Sequence, residues 1–91
     1  MSKTPDTVED RETARAILRY FVRHPEAKDT AEGIAQWWLE AERSKRATVE
    51  RALAWLLSQG VILERRRKGL PPYYQFVRKR RAAALSILRE L

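Results

Sequence analysis

The chain is organised around residues 44–77, which read SKRATVERALAWLLSQGVILERRRKGLPPYYQFV. In the first half of this stretch, apolar residues recur at three- and four-residue spacing, the pattern of a helix with one buried face. The apolar face comprises Val49, Ala52, Leu53, Leu56 and Leu57, and the opposite face comprises Ser44, Ala47, Thr48, Arg51 and Trp55. We therefore expect a helix that buries one stripe and displays the other.

Both ends of this helix carry suitable residues. Ser44 can accept a hydrogen bond from a free amide of the first turn. Gly60 can adopt the left-handed backbone conformation that commonly ends a helix. The sequence therefore predicts a helix that begins near Ser44 and stops at Gly60.

A β-hairpin is expected after Gly60. Residues 61–63 and 73–77 are rich in β-branched, aliphatic and aromatic side chains, which favour extended backbone. Between them, Gly69 permits a turn, and two prolines are disfavoured inside a central strand. We therefore expect residues 64–72 to form the hairpin loop, with four consecutive cations at its tip: Arg65, Arg66, Arg67 and Lys68.

The four cations have two interpretations. A run of positive charge on an edge hairpin can simply keep that edge solvated and prevent aggregation. Alternatively, the run contacts nucleic acid. The second interpretation is favoured by position, because the run follows directly after a helix that displays further polar and basic residues.

The distribution of charge supports nucleic-acid binding. The chain has 91 residues, with 19 Lys plus Arg against 12 Asp plus Glu, a net charge of +7 and a pI near 10.4. Residues 1–43 hold 7 cations and 9 anions, whereas residues 44–91 hold 12 cations and 3 anions. The positive field is thus concentrated in the helix, the hairpin and the tail, as expected of a nucleic-acid binder.

Two further helices are expected upstream. Thr7 can cap a first helix, with Asp10 three residues later, and His24-Pro25 predicts the end of that helix. Thr30 can cap a second helix, in which Trp38 is expected in the core and Trp37 half-buried at its margin. Residues 1–6 are expected to be a disordered N-terminal tail.

Residues 30–77 resemble the winged-helix superfamily of small bacterial DNA-binding regulators. The resemblance rests on the pattern Thr30, Ile34, Ala35 and Trp38, on the apolar positions of the third helix, and on Gly60-Val61-Ile62 and Tyr73-Tyr74. It implies a mainly α fold with a small β-hairpin (α+β), containing a three-helix core, a two-stranded wing and a C-terminal helix. Residues 7–77 would form the winged-helix domain.

In that superfamily the third helix enters the major groove of double-stranded DNA while the hairpin grips the backbone. The candidate DNA-binding residues of this chain are Ser44, Lys45, Arg46, Thr48 and Arg51 on the helix and Arg65, Arg66, Arg67 and Lys68 on the wing. Arg and Lys suit the acceptors of guanine, and Thr can contact bases more generally. The resemblance thus implies a DNA-binding transcriptional regulator.

The C-terminal segment, residues 78–91, begins Arg-Lys-Arg-Arg and continues as an amphipathic helix. Its apolar face comprises Ala84, Ile87, Leu88 and Leu91. That face can pack on the first helix of its own chain or on the same helix of a second subunit. The resemblance favours a homodimer, because regulators of the superfamily often dimerise through a terminal helix. Trp55, expected on the outer face of the third helix, either packs on the wing or tail, meets a partner or touches the ligand, and it is a further candidate for a partner interface.

Other function classes receive little support from the sequence. His24, the single histidine, precedes a proline, and no metal-ligand spacing, nucleophile constellation or phosphate-binding glycine loop is present. We therefore expect no enzymatic activity, cofactor or metal. The absence of cysteine, of a signal peptide and of a long apolar run indicates a cytoplasmic protein that does not enter a membrane. Two alternatives remain: a winged-helix module that binds protein, for example an accessory subunit of a larger complex, and a binder of structured RNA.

Overall fold

The computed structural model describes residues 4–38 and 46–91. These residues form four helices and a small three-stranded sheet. In chain order the elements are α1 (Val8–Arg23), β1 (Lys28–Thr30), α2 (Ala31–Gly33, continued by the π-helical turns Ile34–Trp38), α3 (Arg46–Ser58), β2 (Ile62–Arg67), β3 (Leu70–Phe76) and α4 (Arg81–Glu90), which follows a 3-10 turn at Arg78–Arg80. The predictions for Ser44 and Lys45 lie outside the described residues.

Local chemistry explains where the helices begin and end. The Thr7 hydroxyl accepts a hydrogen bond from the Asp10 amide at 3.0 Å, and the Thr30 hydroxyl accepts one from the Gly33 amide at 3.1 Å. Each bond satisfies an amide that has no partner within its own helix. Gly60 ends the turn after α3 with φ 75°. These predicted boundaries are confirmed.

The sheet is antiparallel, with strand order β1-β3-β2. The sequence predicts only the two strands of the hairpin, and β1 is an addition. In β1, Lys28 pairs with Gln75 and Thr30 pairs with Tyr73. This strand is short and polar and lacks an alternating apolar pattern, so its extended form depends on the hydrogen bonds that β3 offers.

The hairpin is longer than expected, and the predicted loop over residues 64–72 is wrong. Strand β2 continues to Arg67 and β3 begins at Leu70, so that the turn consists of Lys68 and Gly69, the latter with φ 76°. The two prolines are tolerated because β1 pairs with β3 only from Tyr73 onward. Near the tip, β3 therefore pairs only with β2. A proline, which has no amide donor, is tolerated there because that part of β3 is at the edge of the sheet.

The core lies between α1, α3 and one face of the sheet. Its largest fully buried side chains include Phe21, Ile17 and Leu18 from α1 and Leu53 and Leu56 from α3. The sheet contributes Ile62 and Phe76, which face each other across β2 and β3. This packing fixes α3 against α1 and holds the hairpin beside α3.

The two adjacent tryptophans of α2 have different environments. Trp38 stacks on Tyr20 with a centroid distance of 4.2 Å and meets Phe21 edge-on at 4.7 Å. Trp37 is 79% exposed, so the prediction of a half-buried Trp37 is wrong. Successive helical side chains diverge around the axis, and the core contacts of Trp38 therefore turn its neighbour outward.

Helix α4 packs on the body of its own chain. Ala84 is fully buried, and Ile87, Leu88 and Leu91 are partly buried against the core. The Arg81 guanidinium also donates to the Val22 carbonyl of α1 at 3.3 Å. Of the two predicted places for this apolar face, the structure shows the one within the chain. No helix among the described residues combines the length and the apolar character needed to cross a membrane.

Candidate nucleic-acid interface

The four cations of the hairpin lie along the end of β2 and in the turn, and all four are exposed. They are Arg65, Arg66, Arg67 and Lys68. The strand pairing shifts register between Arg65 and Arg67. Such an irregularity re-aims neighbouring side chains, so the three arginines differ in their surroundings.

Two of the four cations are engaged within the hairpin. The Arg66 Nε lies 3.0 Å from Oε1 of Glu64. The guanidinium carbon of Arg67 lies 4.8 Å from the centroid of the Tyr73 ring, and its Nη2 donates to the Pro71 carbonyl at 3.2 Å. Arg67 is therefore held along the hairpin by an aromatic face and a backbone acceptor.

The side chains of the other two cations, Arg65 and Lys68, make no hydrogen bond or ion pair with any described residue. Their charges are available to an external anion without loss of an internal contact. Sequence alone treats the four cations as equivalent. The structure separates them into a free pair, Arg65 and Lys68, and an engaged pair, Arg66 and Arg67.

At the start of α3, Arg46 is exposed and bonded to two carboxylates. Its Nε donates to Oε1 of Glu50, one turn further along the helix, at 3.3 Å, and its Nη1 lies 3.9 Å from Oε2 of Glu32 on α2. Each side chain in these pairs is more than half exposed. Such surface pairs are weak, and a phosphate can replace them.

Within the hairpin, a buried tyrosine is hydrogen-bonded to the carboxylate that pairs with Arg66. The Tyr74 hydroxyl on β3 donates to Oε2 of Glu64 at 3.0 Å. Burial raises the pKa of Tyr74 above its ordinary value, and the hydrogen bond to Glu64 and the negative charges of Glu64 and Glu50 raise it further. Glu50 bonds Arg46 at the start of α3, and Glu64 pairs with Arg66 on β2.

Thr48 departs from its predicted place on the displayed face of the helix. It is buried, with 3% of its surface exposed. Its hydroxyl donates to Oε1 of Glu9 at 3.4 Å and accepts from Nη2 of Arg51 at 3.2 Å. Packing of α1 against α3 covers this position, so the prediction of Thr48 as a DNA contact is wrong.

Arg51 is also engaged with α1. Its Nε and Nη2 lie 3.2 to 3.3 Å from the carboxylate oxygens of Asp10, whose side chain is only 12% exposed. The hydrogen bonds to Asp10 and the charge of that carboxylate raise the pKa of Arg51. Sequence reasoning identified Asp10 only as a capping residue. No local pattern could link it to Arg51, which lies on another helix.

Trp55 is partly buried and packs against the core, and its indole Nε1 is buried without a hydrogen-bond partner in the described part of the chain. Of the alternatives for Trp55, the structure shows packing within the chain. The residues expected at a partner interface on α4, namely Ala84, Ile87, Leu88 and Leu91, are likewise packed within the chain.

The exposed hairpin side chains and Arg46 make this surface basic. Among residues 4–38 and 46–91, no group of three or more His, Asp or Glu side chains is placed to hold a metal ion. Comparisons with protein-family models, curated proteins and solved structures found no match.

Proposed function

We propose that this protein is a winged helix-turn-helix regulator that binds double-stranded DNA. The order of its elements supports the proposal, because α3 leads through Gly60 directly into a basic hairpin. In a winged helix this arrangement delivers one helix to the major groove and the hairpin to the adjacent backbone.

The observation that carries the proposal is the exposure of basic side chains on both elements. Arg46 at the start of α3 is exposed, and so are Arg65, Arg66, Arg67 and Lys68 on the hairpin that follows. In a winged helix these two elements engage the same duplex.

The cations have different roles in this proposal. Arg65 and Lys68 contact phosphates, since neither gives up an internal partner to do so. Arg46 contacts the groove or its edge, together with Ser44 and Lys45, which precede it in the sequence. Arg66 and Arg67 shape the hairpin and add positive potential. Arg51 is assigned to the contact between α1 and α3.

The protein-binding alternative loses most of its sequence support. Its expected anchors were Trp55 and the apolar face of α4, and both are packed within the chain. One observation still favours it, the 79% exposure of Trp37, because tryptophan is enriched at binding hot spots. Substitution of Trp37 by Ala would then abolish co-purification of a cellular partner while leaving duplex binding unchanged.

The test of DNA binding is a salt-titrated anisotropy measurement with labelled random duplex DNA. The double variant Arg65→Ala/Lys68→Ala should bind more weakly and should flatten the log-log salt slope by about 0.9 for each lost phosphate contact. The matched control is Arg19→Ala/Arg23→Ala, which removes the same charge from exposed positions of α1. Equal effects of the two double variants, or none, would overturn the assignment of Arg65 and Lys68.

Specificity is tested by selecting bound sequences from a random duplex pool. An enriched palindrome would establish sequence preference and two-fold symmetry together. Parallel titrations with structured RNA separate the two nucleic acids, because a duplex-reading helix fits the wide major groove of B-form DNA but not the narrow one of A-form RNA.

A further inference from the structure

The face of the sheet that points away from the core carries an aromatic ring among cations. Residues directly opposite one another on paired strands share a face. Tyr73 on the central strand therefore has Thr30 on one side and Arg65 on the other. The next position along β3, Tyr74, belongs to the buried face. We call the face around Tyr73 the outer face of the sheet.

Three cations surround Tyr73. The Lys28 Nζ lies 5.9 Å from the centroid of the ring, and the Arg67 guanidinium carbon lies 4.8 Å from it. Arg65 lies on β2 directly opposite Tyr73. The charges thus come from both strands that flank β3, and Lys28 lies on the strand farthest from the hairpin arginines.

Beside the ring the surface is open and concave. A shallow depression of about 310 Å³ is lined by Lys28, Asp29, Thr30, Arg67 and Tyr73. Its size is at the lower end of the roughly 300–1,000 Å³ typical of small-molecule sites. The acidic member, Asp29, is already engaged, since its carboxylate accepts a hydrogen bond from the Thr30 amide at 2.8 Å.

We propose that this depression binds one unpaired nucleotide. Aromatic rings and guanidinium planes stack on exposed nucleobases, and Tyr73 and Arg67 both line the depression. Lys28, which also lines the depression, provides positive charge for the phosphate. Bases inside a duplex are stacked on each other and cannot enter, so this site is separate in function from the surface proposed for duplex DNA.

The bound nucleotide can be either a free nucleotide or part of a single strand, and titration distinguishes the two. The probes are adenosine monophosphate and a labelled short oligothymidylate, each titrated with the intact chain. Displacement of the oligothymidylate by adenosine monophosphate indicates that one nucleotide is enough to occupy the site. Binding of the oligothymidylate without such displacement indicates a single strand. Both results support the site, whereas binding of neither probe overturns it.

Substitutions at Tyr73 test the stacking. Tyr73→Leu should weaken binding of the oligothymidylate by about tenfold, the typical value of one stacked base, while Tyr73→Phe should remain within about twofold. An equal loss for both variants would overturn the proposal, because it would show that the aromatic ring does not matter.

Lys28 tests the electrostatic part and separates this site from the duplex surface. Lys28→Ala should flatten the salt slope of single-strand binding by about 0.7 and leave duplex binding unchanged. The matched control is Lys79→Ala, which removes an exposed lysine from the 3-10 turn. Equal losses of single-strand binding for the two lysine variants, or displacement of the probe by an acidic peptide as readily as by adenosine monophosphate, would overturn the proposal. Failure of duplex binding alone would affect only the function proposed above.

Discussion

Arg51 on α3 holds Asp10 on α1 through contacts of 3.2 to 3.3 Å from Nε and Nη2 to the carboxylate oxygens. The Asp10 side chain is 12% exposed, whereas that of Arg51 is 58% exposed. A largely buried carboxylate is destabilising unless it is paired and hydrogen-bonded. The pair therefore braces the two helices that form most of the core, and it explains why a basic residue of α3 turns toward the protein.

The first prediction concerns this brace. Arg51→Ala should lower the melting temperature because it leaves Asp10 buried without its cation, and Arg51→Lys should recover only part of the loss because an ammonium lacks the guanidinium fork. Affinity for random duplex DNA, measured where each variant is folded, should stay unchanged. A large loss of duplex affinity without loss of stability would show instead that Arg51 contacts DNA.

The second prediction concerns Thr48. Thr48→Val keeps the shape of the side chain but removes the hydroxyl that links Glu9 to Arg51. Hydrogen bonds to charged groups contribute about 1.5–3 kcal/mol, and since the contact to Glu9 is long at 3.4 Å, we expect a loss near the lower value in urea denaturation. Thr13→Val, at a partly exposed position of α1, is the control. A neutral Thr48→Val would contradict the role of this hydroxyl.

The helix ends could be predicted from the sequence because their causes are local. Thr7, Thr30 and Gly60 each act on backbone within a few residues of themselves. The burial of Thr48 on α3 against α1 could not be predicted in the same way. Thr48 is polar, and only the approach of α1, which brings Glu9 to its hydroxyl, makes that position part of the interior.

The sheet, too, could be predicted only in part from the sequence. The apolar and aromatic runs on either side of Gly69 predict a hairpin, but its length depends on which strand lies next to β3. Prolines 71 and 72 favour a loop when read alone, and they are accommodated in β3 because β1 stops pairing at Tyr73. For the candidate site, the sequence gives the cluster of cations, while the distinction between free Arg65 and engaged Arg67 requires the position of Tyr73.

The third prediction uses the two glycines with positive φ. Gly60 has φ 75° and Gly69 has φ 76°, and a left-handed conformation costs an L-residue roughly 1–2 kcal/mol. An added Cβ has no neighbour within 4 Å at Gly69 and only Arg80 Nη2 at 4.0 Å at Gly60, so strain rather than collision decides the result. Gly60→Ala and Gly69→Ala should each be destabilised by about that amount in urea denaturation.

Asparagine provides the control for these glycines, because it tolerates the left-handed conformation better than alanine. Gly60→Asn and Gly69→Asn should therefore lose less stability than the alanine variants. If alanine and asparagine were equally destabilising at both positions, backbone conformation would not be the cause.

The fourth prediction concerns pH. The Tyr74 hydroxyl donates to Glu64 at 3.0 Å, and its pKa is raised above the ordinary value of 10.0. The protonated phenol is thus favoured in the folded state, so its contribution to stability is complete below the unfolded pKa and is lost as the pH rises through the folded pKa.

Tyr74→Phe should lower the free energy of unfolding by about 1 kcal/mol near neutral pH, below the usual 1.5–3 kcal/mol for a charged acceptor, because Glu64 is 23% exposed. The difference between the two proteins should shrink above about pH 10, as measured by urea denaturation across the alkaline range. Titration of other groups is common to both proteins and cancels in the comparison, so a difference that stayed constant through strongly alkaline pH would show that the hydroxyl of Tyr74 does not titrate in this way.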